Sequence, residues 1–547
     1  MRFFTVVGVA AALLSSVIAQ DPTVPAVPTG TPISGIYNGT YRPQVHFSPP
    51  QHYMNDPNGL FLDANGTYHL YYQYNPTANT AGDQHWGHAT SRDLYHWINQ
   101  PIAIFPPTND TQVFTGSAVV DVNNTSGFFP DQDNGVVAVY TLNTPTGQVQ
   151  DISYSVDGGY TFTAFSGNPV LTSTSTQFRD PKVIWFEDHW VMIVSFAADL
   201  TLGFYTSPDL KTWSSASNFT YPGSVAQFEC PNIVKMPIDG SDDSMYVLST
   251  SISSGGPSGG GAIIYFPGTF NGSHFTAVDD TPRFIDFGAD SYAGQFFSGI
   301  PDGDDALFIA WATNGQYSQD TPTAQEGWRS TMSLPRRNRL APNATSGGYD
   351  LITVPQDLSP VLGEQLASMA NLANGVTLFV DYSAVASSAI YFEANVTGVS
   401  GASDAATLNF TIQSPISGES VRGRYSFGGD NTFTVDRSGV RGFNNTAFTG
   451  TPFTTTSAVR ADGTWTLAGV VDRSILEVFV GSGVASATAL FFATQPLTVF
   501  TLSTAQLPAN ASVSVAVYAV RSAWKVEENG EGVVVGNVTT IASRDEL

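Results

Sequence analysis

A chain of 547 residues is too long for one small core, and at roughly 100–200 residues per domain it divides into two or more units. Only 12% of its residues are charged, yet the formal net charge of −25 repels phosphate backbones, which argues against nucleic acid as a partner. Gly, Ser, Thr, Val and aromatic residues are abundant and long helix-period stretches are missing, so the composition points to an all-β, acidic, soluble protein with a neutral ligand.

Residues 1–19 read as a signal peptide. Arg2 gives the positive start, Val6 to Leu14 the apolar stretch, and Val17-Ile18-Ala19 the small-residue cleavage site. The mature chain then begins near Gln20, with 20–40 as an N-terminal tail. No later segment has the roughly 20 apolar residues of a membrane-spanning helix, which argues against a membrane anchor. About a dozen Asn-x-Ser/Thr sequons, among them Asn38, Asn65, Asn109, Asn218, Asn343, Asn395 and Asn537, are in keeping with a secreted glycoprotein, extracellular or wall-bound. Cys230 is the single cysteine, so an internal disulfide is excluded and stability must come from the core.

Within 41–353, the expected extent of the first domain, a weak repeat recurs between about 45 and 345: an apolar strand, a second strand, then a Ser-x-Asp turn closing on an aromatic residue. Its clear copies open at Tyr68-His69-Leu70-Tyr71-Tyr72, Val136-Val137-Ala138-Val139-Tyr140 and Trp190-Val191-Met192-Ile193-Val194. They close at Ser91-Arg92-Asp93, Ser155-Val156-Asp157 and Ser207-Pro208-Asp209. Met245-Tyr246-Val247-Leu248 and Ala306-Leu307-Phe308-Ile309-Ala310 open degenerate fourth and fifth copies. Units of about 50–65 residues with several strands each predict blades, and five of them a five-bladed β-propeller. After a Pro- and Leu-rich linker at 354–368, residues 369–525 alternate as Ala389 to Ala394 and Ser512 to Tyr518 do, which predicts a C-terminal β-sandwich. Residues 526–547 form a tail ending in Arg544-Asp545-Glu546-Leu547, close to the ER-retention tetrapeptides; secretion is the primary reading and ER retention the alternative.

Three carboxylates lie in unusual segments. Met54-Asn55-Asp56-Pro57-Asn58-Gly59 forces a sharp turn that aims Asp56 out of its sheet, although such a sequence is ordinarily only a turn. In Phe178-Arg179-Asp180-Pro181, Arg179 holds a neighbouring acid ionised or forks onto ligand hydroxyls; a plain strand-end ion pair is the alternative. In Phe228-Glu229-Cys230-Pro231, apolar neighbours raise the pKa of Glu229 toward that of a general acid, unless it is a solvent-facing strand residue. All three occupy comparable blade positions, and a propeller's central funnel collects residues from every blade.

Taken together, Asn55-Asp56-Pro57-Asn58-Gly59, Arg179-Asp180-Pro181 and Glu229-Cys230-Pro231 resemble the three signature segments of glycoside hydrolase family 32, which contains invertases, inulinases, levanases and fructosyltransferases. The resemblance extends through Tyr72 to Pro76, Trp86 to Ala89, Phe114 to Ala118, Asp286-Phe287-Gly288, Trp328-Arg329-Ser330 and Asp472 to Phe479, nearly the whole mature chain. It implies a propeller followed by a sandwich, with Asp56 as nucleophile, Glu229 as acid/base and Asp180 as transition-state stabiliser. Arg179 then fixes both substrate and Asp180, and Asn55, Gln73, Trp86, Phe114, Thr115 and Trp328 line the pocket for the terminal fructose. Cys230 is given a supporting place. Sucrose and fructo-oligosaccharides are the implied substrates, with no metal or cofactor; a homodimer through the sandwich is left open.

A retaining glycosidase needs an ionised nucleophile and a protonated acid about 5–5.5 Å apart. Turn amides and polar neighbours are expected to keep Asp56 low while burial near Phe228 raises Glu229, giving a bell-shaped, mildly acidic pH profile. The family commonly has Trp where this chain has Tyr53 and Phe228. The first of these changes reshapes the acceptor side, so fructosyl transfer stands as the alternative to hydrolysis. A non-catalytic wall protein and an arabinan- or xylan-active propeller are the remaining rivals.

Overall fold

The computed structural model describes residues 34–524, apart from 222, 224, 225, 344–346 and 449–451, together with strand Val538–Ala542. The signal peptide, most of the expected N-terminal tail and the Arg544 to Leu547 tetrapeptide lie outside the described residues. Among those described, helix is confined to two 3₁₀ turns, Ala197–Asp199 and Pro322–Glu326.

Five antiparallel sheets follow one another and form the propeller blades. Their first strands, His52–Leu62, Gln112–Val120, Phe178–Phe186, Phe228–Pro237 and Tyr292–Phe296, stand side by side in a closed ring, the fifth against the first. Closure is sealed twice. Trp328 and Arg329 pair in parallel with His52 and Tyr53, and the Leu62 and Ser298 amides donate to the Ser298 and Leu60 carbonyls, both at 2.9 Å.

The repeat seen in the sequence marks the second strand of each blade. Val191, Met192, Ile193 and Val194 are all fully buried, because a blade is covered on both faces by its neighbours; a continuous apolar run therefore replaces alternation. The Ser-x-Asp turns close the third strand on the fourth. The Ser91 hydroxyl accepts from the Leu94 amide at 2.8 Å, and Asp93 accepts from the amides of Tyr95 and His96 at 2.9 and 2.8 Å. Asp157 and Asp209 repeat this with Thr161 and Thr212. Each side chain replaces a backbone acceptor, which is why these two residue types recur at the corner.

The last propeller strand ends at Pro355 and the first sandwich strand, Leu362–Met369, pairs with Ser512–Val520, so the connection is shorter than the expected 354–368. A six-stranded and a seven-stranded sheet form the sandwich. Its strands do alternate, every second residue of Ser512–Val520 being buried until the strand's end, because one face meets the core around Phe392, Phe410, Phe500 and Trp465.

Two segments expected as tails belong to the body. Tyr37 stacks on Trp524 with ring centroids 3.8 Å apart, and Val538–Ala542 pairs with Val376–Asp381 at the edge of the seven-stranded sheet. A β-branched run such as Val538-Thr539-Thr540-Ile541 finds an open edge to pair with even outside the regular repeat.

The two domains are bolted by buried ions. Arg336, fully buried, reaches Asp286 at 2.9 Å, Glu477 at 2.8 Å and the Thr488 hydroxyl at 2.6 Å. Asp472 accepts from the Gln44 and Val45 amides at 2.7 and 2.8 Å and meets His46 Nδ1 at 2.9 Å. Burial alone would lower His46, but Asp472 and Glu477 outweigh it and raise its pKa to about 9.

Candidate active site

Each inner strand breaks register near its N-terminal end: between Met54 and Pro57, Val113 and Gly116, Glu229 and Asn232, and Tyr292 and Gln295, and opposite Asp180 between Ile193 and Ser195. Asp180, Cys230 and Ala293 take positive φ angles of 66°, 49° and 51°. Bulges and left-handed residues re-aim side chains out of the pleat, here toward the propeller axis, and such backbone persists in non-Gly residues only where the surroundings hold it.

The three carboxylates are thereby brought to one mouth of the ring, from the first, third and fourth blades. Cys230 ties them together. Its amide donates to Asp180 Oδ2 at 3.0 Å, and its thiol lies 3.6 Å from Asp56 Oδ2 and 3.7 Å from Asp180 Oδ2. Burial, aided by three negative neighbours, pushes the thiol well above its ordinary pKa, so it is a neutral donor and not a nucleophile.

Thr115 donates to Asp56 Oδ2 at 2.6 Å. Asp56 is half-buried, and the protein around it desolvates its carboxyl. That desolvation outweighs the hydrogen bonds from Thr115, Asn55 and Cys230 and, with Glu229 negative nearby, pushes its pKa up to about 6. The expectation that turn amides keep it low is thus corrected: burial wins. Asp180 is raised as well, by burial ahead of the opposing Arg179 charge.

Arg179 makes the ion pair with Asp180 that the resemblance implies, but only at long range, and holds Glu229 more closely. Its Nε and one terminal nitrogen donate to Glu229 Oε1 at 3.1 and 2.7 Å, whereas its nearest approach to Asp180 is 3.9 Å. The guanidinium orients the acid/base candidate first. Glu229 Oε2 accepts from the Tyr292 hydroxyl, a residue of the fifth blade that sequence reasoning missed. Its only signal is its place shortly after Asp286-Phe287-Gly288. Phe228, expected to cover Glu229, instead packs in the core between the third and fourth blades.

Gln73 and Trp86 are buried and act on the main chain. Gln73 Nε2 donates to the Val113 carbonyl at 3.1 Å and Trp86 Nε1 to that of Phe114 at 3.0 Å, which fixes the strand that presents Thr115. Asn55 Oδ1 accepts from Gln84 at 2.9 Å. Trp328 is buried beside His52, its indole donating to Glu326 at 3.0 Å with the Arg42 guanidinium 4.5 Å from its ring. Tyr53, also buried, accepts from Gln319 Nε2 at 2.7 Å, a polar contact that indole at this position would not reproduce. Among the described residues no group of three or more His, Cys, Asp or Glu side chains is spaced to hold a metal ion.

Converting Tyr292 to Phe removes one charge-assisted donor from Glu229. A bond of that kind is worth about 1.5–3 kcal/mol, so kcat/KM is expected to fall by about 10- to 100-fold with little change in thermal stability. Steady-state kinetics with a fructoside decide this; an unchanged kcat/KM removes Tyr292 from the site.

Carboxylates on three blades of one propeller, with an arginine and a tyrosine orienting one of them, define a glycoside hydrolase. Residues 46–355 match the profile of the Glycosyl hydrolases family 32 N-terminal domain, and residues 364–519 that of the Glycosyl hydrolases family 32 C terminal. The chain is 36% identical to an invertase of Schizosaccharomyces pombe over 513 residues, covering 90% of this chain and 87% of that one. It is 36% identical to an extracellular exo-inulinase of Meyerozyma guilliermondii over 472 residues, covering 82% and 90%. The β-fructofuranosidase of Schwanniomyces occidentalis, solved with fructosyl-erythritol, superposes with a TM-score of 0.81 at 34% identity over 88% of this chain and 98% of its own. The chain belongs to glycoside hydrolase family 32.

Proposed function

We propose that the protein is a secreted, retaining β-fructofuranosidase that hydrolyses sucrose and the terminal fructosyl unit of short fructans. The observation that carries this reading is the convergence of Asp56, Asp180 and Glu229 around Cys230 at one funnel mouth. Asp56 attacks the anomeric carbon while Glu229 gives its proton to the departing sugar oxygen. A water molecule then loses a proton to Glu229, attacks the same carbon and displaces Asp56, so the configuration is retained. Asp180 accepts hydrogen bonds from the fructosyl hydroxyls. Hydrolysis is favoured over transfer because the relatives at 36% identity are named invertase and exo-inulinase. Secretion is supported by the extracellular name of the latter and by the signal-like segment at 1–19.

The test is to incubate the purified protein with sucrose at low and near-molar concentration and to quantify glucose, fructose and trisaccharides. Equal glucose and fructose at both concentrations is the expected result; glucose in excess with trisaccharide products would make it a transferase, and no glucose would overturn the reading.

The pH profile has a defined sign. Asp56 must be ionised to attack, so kcat/KM is expected to be lost as pH falls through about 6, well above the ordinary carboxylate range. An acidic limb near pH 4 would show that the nucleophile is not desolvated in this way.

A further inference from the structure

The inner strands open at their far ends, away from Asp56, into a cavity of about 890 Å³. Its walls are largely apolar and aromatic, with Phe61, Ile184, Trp190, Phe270 and Phe296 among them. Its outer parts carry the carboxylates Asp63, Asp133, Glu187, Asp302 and Asp304 against one exposed amine, Lys235. Lys182 lines the same cavity from the third blade and is only 3% exposed.

Among the other buried cations, Arg179 at 2.7 Å, Arg336 at 2.9 and 2.8 Å and Arg437 at 2.5 Å have carboxylate partners, while Arg42 and Arg329 each donate to two backbone carbonyls. Lys182 has no carboxylate partner among the described residues. Its ammonium donates to the Phe296 carbonyl at 2.7 Å, which uses one of three N–H groups. Burial with no opposing charge lowers its pKa to about 7, so much of it is a free amine at neutral pH. A desolvated lysine amine beside an apolar space is a carbonyl nucleophile.

We propose that Lys182 is a covalent binding site for small neutral aldehydes with an apolar body, held as Schiff bases in the cavity opposite the catalytic mouth. The Nζ lone pair forms a bond to the carbonyl carbon while the C=O π pair moves to oxygen, which takes a proton. Loss of water and of the remaining exchangeable proton leaves C=N, and hydrolysis reverses the sequence without any redox partner. The acidic surround disfavours anionic carbonyl compounds, and the apolar walls disfavour sugars, including the aldose that sucrose cleavage releases. This site does not depend on the proposed substrate.

The experiment is to treat the full-length protein with benzaldehyde and sodium cyanoborohydride, which reduces the C=N bond, and to map the benzylated lysines by mass spectrometry. Lys182, Lys211, Lys235 and Lys525 are the lysines of the sequence, so assignment is unambiguous. Labelling of Lys182 is expected to outrun that of the exposed Lys235 by about tenfold or more, since a lower pKa leaves more free amine. Glucose in place of benzaldehyde should leave Lys182 unlabelled, and Lys182→Met should lose the label while keeping sucrose turnover. Equal labelling of the exposed lysines, or an unlabelled Lys182, overturns the proposal; the wild-type map decides alone if the variant does not fold.

Discussion

Asp56→Asn is expected to lower sucrose turnover by roughly 10⁴–10⁶-fold, the range seen when one member of a catalytic group is removed from an otherwise intact site. The amide is nearly isosteric and can still accept from Thr115, so the pocket keeps its shape; what it lacks is a charge able to form the ester bond to the sugar. Stability should not suffer. The native carboxyl has a pKa of about 6 against an ordinary 3.8, so its ionised form is disfavoured by folding at all pH values above that window. The variant should therefore melt at the same temperature or higher at neutral pH. Glucose release and a thermal melt on the same preparation are the two measurements. A variant within about tenfold of the parent turnover would show that another group attacks, since a lost covalent step costs far more than that.

Much of this site was legible because its chemistry is written in contiguous turns. Asp-Pro-Asn-Gly, Arg-Asp-Pro and Glu-Cys-Pro each combine a carboxylate with a proline that breaks register, and the structure turns each into a bulge aimed at the axis. The blades were legible for a related reason: strands covered on both faces become continuous apolar runs, and Ser-x-Asp corners recur where the third strand meets the fourth. What escaped were relations between segments. Arg179 stands next to Asp180 in sequence, but its side chain crosses to the fourth blade and binds Glu229. Phe228 stands next to Glu229 and turns the other way, into the core, because neighbouring strand residues face opposite sides. Tyr292 touches Glu229 only because the ring closes the fifth blade beside the fourth. Burial sets the Asp56 pKa, and burial is a property of the closed ring that no single segment carries.

The Asp472 to Phe479 segment, far from the catalytic carboxylates in sequence, finds its explanation in the domain interface, and Arg336→Met tests it. Arg336 is fully buried and its guanidinium is shared between Asp286 of the propeller and Glu477 of the sandwich. Burying such ions is costly in itself, so the arrangement adds little net stability over an apolar one, but removing Arg336 leaves Asp286 without a counter-charge and Glu477 with only His46, 3.5 Å away, in a dry interface. The variant is expected to lose about 3–5 kcal/mol, measured by chemical denaturation together with a fall in melting temperature. Combining it with Asp286→Asn and Glu477→Gln should restore a large part, because the uncompensated charges are then gone. Arg336 touches none of the three catalytic carboxylates, so the folded fraction should keep its kcat/KM at low temperature. A loss under about 1 kcal/mol for Arg336→Met, the size of an exposed ion pair, would mean that water reaches this ion cluster and that it does not hold the two domains together.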